Sequence, residues 1–149
     1  MKVCAFTGHR NIYAYDFDEH LLERVVLNLV KNGVRKFLCG MAIGFDMKAA
    51  QAVLSLKESY NLQLVACLPC ANQSERFSAK NRNLYNEILS KCDEVLVFES
   101  SYTRGCMFTR NRYLVDNSDV LVCFLRKTSG GTYYTVNYAR KTNKKIIEI

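Results

Sequence analysis

Residues 120–132 read VLVCFLRKTSGGT, and this stretch decides the fold class. Its first six residues are all apolar, which is typical of a strand that helices cover on both faces of a parallel sheet. A basic pair ends the run, and a serine and two glycines then lead to Thr132. A glycine-rich loop between a buried strand and a helix indicates one repeat of an α/β fold.

The same alternation of strand and helix extends along the chain in both directions. Residues 64–68 and 95–98 are further apolar runs, and leucines and valines recur at helical spacing between residues 21 and 30. Asp16 and Glu19 have the spacing of a capping box before that helix, and Gly33 lies where it would end. The predicted strands are 2–6, 36–39, 62–68, 94–98, 120–125 and 145–148, and the helices after the first are 45–60, 79–91, 107–117 and 132–142.

We therefore predict one domain over residues 1–149 with a Rossmann-like, three-layer α/β/α fold. Its sheet should be mostly parallel, with about six strands. Right-handed crossovers then place every strand-to-helix loop at one edge of the sheet, where ligands of open α/β folds bind.

The composition narrows the class of protein. The formal net charge of +7 favours anionic partners, and neither a signal peptide nor a membrane-spanning run is predicted, so we expect a cytoplasmic protein without a membrane partner. The seven cysteines are an odd number, which argues against a disulfide framework. Cys67 and Cys70 have redox-pair spacing but end a later strand, so we interpret them as core and loop. One such pair and two histidines predict no metal site.

Glycine, hydroxyl and basic residues are concentrated in the loops that follow the predicted strands. Glycines admit a phosphate close to backbone amides, helix N-termini favour anions, and arginines neutralise phosphate. Taken alone, Gly8 could be a turn residue, His9 an ordinary loop histidine and Asp46 a helix N-cap. Because all of these loops are predicted at the same edge of the sheet, together they favour a binding site. The candidate ligand-binding residues are Thr7, Gly8, His9, Arg10, Gly40, Met41, Ala42, Gly44, Asp46, Gln73, Arg110, Asn111, Arg112, Ser129, Gly130, Gly131 and Thr132.

These motifs resemble the YpsA-like branch of the SLOG superfamily. The matching residues occur in order over nearly the whole chain: residues 6–10 (FTGHR), 40–46 (GMAIGFD), 68–73 (LPCANQ), 105–107 (GCM), 110–116 (RNRYLVD), 118–119 (SD) and 130–132 (GGT). Phe77 stands where the family often has tryptophan. The resemblance implies a Rossmann-like fold and a pocket for a nucleotide or nucleotide-derived ligand.

More distant SLOG relatives include the "lonely guy" phosphoribohydrolases, DNA-processing protein A and sensors of cyclic ADP-ribose-type messengers. The phosphoribohydrolases pair an arginine with a glutamate, and Arg110 has the matching spacing to Ser118. Thr135 occupies the glutamate position, so the carboxylate that would stabilise an oxocarbenium-like state is missing there. Asp46, Asp116 and Glu99 are the carboxylates that could substitute, with Asp46 the best placed. The catalytic candidates, if the chain is an enzyme, are Arg110, Asp46 and Asp116.

Three functions remain open. The first is a module that senses or sequesters a nucleotide-type ligand, such as one similar to ADP-ribose, with no other cofactor expected. The second is a nucleoside monophosphate N-glycosidase. The third, less favoured, is nucleic-acid binding with base stacking on Tyr13, Tyr15, Tyr133 and Tyr134. We also expect a homodimer or higher oligomer, with tyrosines 133, 134 and 138 and Met107 as candidate interface residues.

Overall fold

The computed structural model describes residues 2–149. Strands and helices alternate within these residues, with one short 3-10 helix at Ile12–Ala14. The strands are β1 (Lys2–Gly8), β2 (Val34–Cys39), β3 (Gln63–Leu68), β4 (Glu94–Val97), β5 (Val120–Phe124) and β6 (Lys145–Glu148). The helices are α1 (Glu19–Lys31), α2 (Phe45–Tyr60), α3 (Ala79–Ser90), α4 (Cys106–Asp116) and α5 (Gly130–Lys141).

The six strands form one sheet in the order β4-β3-β2-β1-β5-β6. Every neighbouring pair is parallel, so the sheet is wholly rather than mostly parallel. The apolar runs in β3 and β5 are buried on both faces, as their lack of alternation predicts. The predicted Rossmann-like fold is confirmed.

Helices cover both faces of the sheet in three layers. Helices α1, α2 and α3 pack together over one face, and α4 and α5 pack together over the other. The chain changes face after β4, and β5 then pairs with β1 on the side opposite β2. Connections from β1 and β5 therefore diverge at the carboxyl edge of the sheet, which opens a crevice there.

Aromatic packing fixes the start of α2 beneath that crevice. The ring of Phe45, the first residue of α2, stacks on Phe124 at the end of β5, with ring centroids 6.1 Å apart. Phe6 in β1 contacts Phe45 edge to face. Each of these fully buried rings contributes roughly 1.5–3 kcal/mol by leaving water. The carboxyl edge of the sheet is thus tied to the core.

The start of α1 differs from the sequence prediction. Asp18, not Asp16, is the N-cap, and its carboxylate accepts a hydrogen bond from the Leu21 amide at 3.1 Å. Asp16 instead accepts from Arg126 Nε at 2.8 Å. The capping-box interpretation is therefore wrong, because a distant arginine in the β5 loop engages the first acidic residue and the chain turns into the helix two residues later.

Candidate functional site

A cleft of about 690 Å³ lies at the carboxyl edge of the sheet, beside the point where strand order reverses. Loops after β1, β2, β4 and β5 contribute to its wall. The predicted residues that line it are Thr7, Gly8, His9, Arg10, Ala42, Asp46, Arg110, Asn111, Ser129, Gly130, Gly131 and Thr132. Residues separated by more than 120 positions in sequence thus meet in one cavity.

Asp46 carries an unpaired oxygen in this cleft. The residue is 5% exposed, and its Oδ2 accepts a hydrogen bond from the Ala42 amide at 3.2 Å. Its Oδ1 is buried and has no hydrogen-bond partner within the described residues. Burial raises the pKa of the Asp46 carboxyl to about 6, against the opposing effect of Arg110. Asp46 can therefore accept a hydrogen bond from a ligand or exchange a proton near neutral pH.

Arg110 is a buried cation that ties neighbouring strand ends together. Its Nη1 donates to the backbone carbonyl of Gly40, after β2, and to that of Cys67, in β3, the latter at 3.2 Å. Its Nε donates to Asn111 Oδ1 at 2.7 Å. Burial lowers the pKa of the guanidinium, and Asp46 opposes that shift. Because Nε and Nη1 already have protein partners, Arg110 has less capacity for phosphate than the sequence suggests.

Three helices begin at the cleft without a side-chain cap. The N-cap residues of α2, α4 and α5 are Gly44, Gly105 and Ser129, and none makes a side-chain capping hydrogen bond. Helices α1 and α3 begin away from the cleft, and Asp18 and Ser78 cap them. A helix start without a cap leaves amide N–H groups and a positive dipole end unmatched. The first amides of α2 and α4 nevertheless donate to the backbone carbonyls of His9 and Thr103, at 3.2 Å each. Within residues 2–149, the first amides of α5 make no such bond, so the start of α5 offers the most free backbone donors.

His9 lies in the cleft wall as a neutral hydrogen-bond acceptor. The Arg126 amide donates to His9 Nε2 at 2.8 Å, so the ring proton of the neutral form is on Nδ1. Burial, together with the charges of Lys127 and Arg126, lowers the pKa of His9. The ring packs against Tyr15, with centroids 5.3 Å apart. His9 therefore stays uncharged at neutral pH and connects the β1 and β5 loops.

Two predicted glycines serve packing rather than ligand access. A Cβ on Gly40 would lie 2.6 Å from Arg110 Nη1, and one on Gly44 would lie 2.0 Å from the Arg10 carbonyl oxygen. Gly44 also has a φ of +83°, which a larger residue adopts with strain. These glycines hold the β1 and β2 loops against each other and shape the cleft from behind.

The remaining predicted residues lie outside the cleft wall. Met41 is fully buried, and Gln73 joins the Gly40 carbonyl to the hydroxyl of Tyr85. Arg112 lies on the outer surface against Tyr134, and Asp116, at the far end of α4, accepts a hydrogen bond from Tyr138. Neither Arg112 nor Asp116 therefore lies beside Asp46 in the cleft.

Sequence reasoning missed the aromatic wall and one lysine. Phe108 and Tyr134 face each other with centroids 4.5 Å apart, and both line the cleft. Met107, Asn111 and Leu114 line it at helical spacing, a signal that could have identified this face of α4. The other lining residues outside the predicted ligand-binding set are Phe6, Asn11, Tyr15, Tyr102, Gly105 and Lys127, of which Tyr15 was expected only as a base-stacking residue of a nucleic-acid binder.

Two features are absent from the described part of the chain. Over residues 2–149, no three acidic, histidine or cysteine side chains gather as metal ligands would. No helix in the same range has the length and apolar character needed to cross a membrane.

Solved structures share this fold. DNA processing protein A from Helicobacter pylori, for which a single-stranded DNA binding mode is described, superposes with a TM-score of 0.71 at 20% identity over 99% of this chain. The same protein from Streptococcus pneumoniae gives 0.70 at 16% identity, also over 99% of this chain. This chain spans 64% of the first protein and 50% of the second, so the likeness extends to the fold of one part of each.

Sequence comparison identifies nearer relatives. A UPF0398 protein from Listeria monocytogenes is 29% identical over 147 residues, covering 90% of this chain and 81% of that protein. The SPbeta prophage-derived protein YoqJ from Bacillus subtilis is 26% identical over 127 residues, covering 76% and 74%. The model of the YspA SLOG family matches residues 5–148. Since that match takes in nearly the whole sequence, and the loops it includes build the cleft, the chain belongs to the YspA SLOG family.

Proposed function

We propose that the cleft binds a nucleotide or a nucleotide-derived ligand, such as an ADP-ribose-like molecule, and that the protein senses or sequesters it. The convergence of three helix N-termini without side-chain caps on one cavity carries this proposal. The dipoles of the three helices and the unpaired amides at the start of α5 favour an anion, and phosphate is the anion that such loops hold in α/β folds.

The start of α5 is the best place for the phosphate. Gly130 and Gly131 are exposed there and present backbone without a side chain in the way. Lys127 and Arg10 line the same cleft and supply cationic side chains for direct contact, whereas Arg110 Nη1 is already bonded to carbonyls. A phosphate at this position would receive both backbone amides and side-chain cations.

Asp46 suits the sugar of the same ligand. Its unpaired Oδ1 needs a donor, because a buried acceptor without a hydrogen bond costs roughly 1–3 kcal/mol. A ribose hydroxyl supplies such a donor, whereas phosphate does not when fully ionised. The aromatic wall formed by Phe108 and Tyr134 offers a surface for the base.

Thermal shifts with a panel of nucleosides, nucleotides, ADP-ribose and inorganic phosphate would test the proposal, together with mass spectrometry of small molecules released on denaturation. Nucleotides should raise the melting temperature by several degrees, and more than nucleosides or phosphate alone. Gly131→Asp should remove the shift, because a carboxylate at the start of α5 repels phosphate.

Gly131→Ala is the matched control. A Cβ at this position meets only Asn111 Nδ2, at 3.8 Å, so both variants should fold. The alanine variant should retain the shift. No released nucleotide and no shift with any member of the panel would contradict the proposal, as would equal shifts in the aspartate and alanine variants.

Asp46 also supports a second candidate, an N-glycosidase acting on nucleoside monophosphates. A cleft carboxyl with a pKa of about 6 could stabilise a ribosyl cation when ionised. Chromatography of nucleoside monophosphates incubated with the protein would then detect free base, and Asp46→Asn would abolish its release. Absence of free base over the whole panel would remove this candidate and leave ligand binding.

A further inference from the structure

The geometry points to a second binding surface, a groove between α4 and α5 that takes single-stranded nucleic acid running outward from the cleft. We define the α4–α5 groove by Arg112, Tyr133, Tyr134, Asn137, Tyr138 and Lys141, which line a cavity of about 360 Å³. The inference extends the proposed function beyond the cleft and assigns a role to Arg112, which the cleft does not use.

The side chain of Arg112 is oriented so that it can bind an anion. Its Nε donates to the Tyr134 hydroxyl at 2.6 Å, and its guanidinium lies 5.8 Å from the ring centroids of both Tyr134 and Tyr138. Its two terminal nitrogens make no hydrogen bond within residues 2–149 and remain free for phosphate oxygens. The hydrogen bond to Tyr134 and the two cation–π contacts orient the guanidinium, so less rotamer freedom is lost on binding.

The groove pairs this cation with further charge and with stacking surfaces. Lys141 adds a second positive charge and Asn137 an amide, while Tyr133 and Tyr138 add rings. Asp116 lies beside the groove, and its carboxylate accepts a hydrogen bond from the Tyr138 hydroxyl at 2.8 Å. Cations alternating with aromatic rings match the alternation of phosphates and bases in a single strand.

The α4–α5 groove is continuous with the cleft. Gly130 and Tyr134 line both cavities. A nucleic-acid strand that leaves the cleft at the start of α5 therefore enters the groove directly. Helix α5 runs from Gly130 to Lys141, a length of about 18 Å, which exceeds the span of one nucleotide. An oligonucleotide fills both cavities, whereas a mononucleotide fills one.

Fluorescence anisotropy with a labelled oligothymidylate of about 12 nucleotides would test the inference. The double variant Arg112→Gln/Lys141→Gln should weaken binding about tenfold and flatten the salt dependence, because two phosphate contacts are lost. Arg24→Gln/Lys31→Gln is the matched control: it removes the same charge from α1, on the other face of the sheet, and should change affinity less than about twofold.

The same titrations distinguish the groove from the cleft. Tighter binding of the oligonucleotide than of a mononucleotide, lost in the groove variant only, supports the inference even if no mononucleotide binds. Equal affinities for the two ligands, or equal losses in both double variants, would overturn it while leaving the proposed function intact. A dimer in sedimentation that the groove variant dissociates, with oligonucleotide affinity unchanged, would also overturn it and assign the groove to a second copy of the chain.

Discussion

At the scale of single residues, the cleft depends on two buried charged groups that are not equivalent. Arg110 has protein partners for its Nε and Nη1, whereas Asp46 has one oxygen that finds no partner among residues 2–149. The arginine therefore stabilises the site, and the aspartate is left to interact with what enters it. This division predicts different consequences when each residue is changed.

Replacing Arg110 should destabilise the fold. Arg110→Ala removes the hydrogen bonds to the Gly40 and Cys67 carbonyls and leaves Asp46 without its nearby cation. The free energy of unfolding, measured by urea denaturation, should fall by about 3 kcal/mol. Arg104→Ala, at an exposed position before α4, should leave it nearly unchanged. Similar small effects in both variants would show that Arg110 is not structural.

Asp46 should make stability depend on pH. Its folded pKa of about 6 lies above the ordinary value of 3.8, so the folded protein binds this proton more tightly than the unfolded chain does. The stabilisation is complete below about pH 4 and is lost as the pH rises through about 6. Relative to Asp46→Asn, the wild-type free energy of unfolding should fall by roughly 1 kcal/mol between about pH 5 and about pH 7.5. A constant difference would contradict the raised pKa.

Part of this residue-level arrangement could be predicted from spacing. Arg110 and Arg112 are two residues apart on α4, and residues at that separation do not share a helix face. One faces the cleft and the other the α4–α5 groove, so they could not both bind one phosphate. The carbonyl partners of Arg110 could not be predicted, because Cys67 comes from a strand 43 residues away.

At the scale of elements, helix caps distinguish structural helix starts from those at the cleft. The Ser78 side chain accepts a hydrogen bond from the Asn81 amide at 3.2 Å, whereas Ser129 makes no capping bond. Ser78→Ala should therefore lower the free energy of unfolding by about 1 kcal/mol, and Ser129→Ala by much less. Thermal denaturation of both variants measures the difference. A loss in Ser129→Ala as large as that in Ser78→Ala would mean that α5 is capped and its amides are not free.

Element boundaries show where local sequence signals suffice. The bounds of α2 and β6 agree with the prediction, because apolar spacing and strand composition define them locally. The start of α1 does not, because the choice between Asp16 and Asp18 depends on Arg126 in a distant loop. Local patterns thus predict which elements exist better than which residue begins them.

At the scale of the whole molecule, the strand order creates the cleft. Placing β5 beside β1 brings the β1 and β5 loops together, and His9 joins them through its bond to the Arg126 amide. The alternation of elements predicts a parallel sheet and a site at its carboxyl edge. It does not give the strand order, since pairing between β1 and β5 depends on contacts more than 100 residues apart.

The reactivity of the cysteine thiols tests the packing of the whole molecule. All seven are free, and six are buried while Cys92 is partly exposed. Burial raises the pKa of Cys92 to about 11 and that of Cys67 and Cys123 to about 12. A colorimetric disulfide reagent at neutral pH should therefore label the native protein slowly and all thiols rapidly in guanidinium. Rapid labelling of several thiols without denaturant would contradict the buried core.

The most direct test of the central claim is an amide NMR titration with adenosine monophosphate. We predict that its addition shifts the backbone amides at the starts of α2, α4 and α5, with the largest changes at Gly130 and Gly131. The capped starts of α1 and α3 serve as internal controls and should stay unchanged. No shift at saturating nucleotide, or shifts at the α1 and α3 starts as large as those at α5, would contradict a nucleotide site in the cleft.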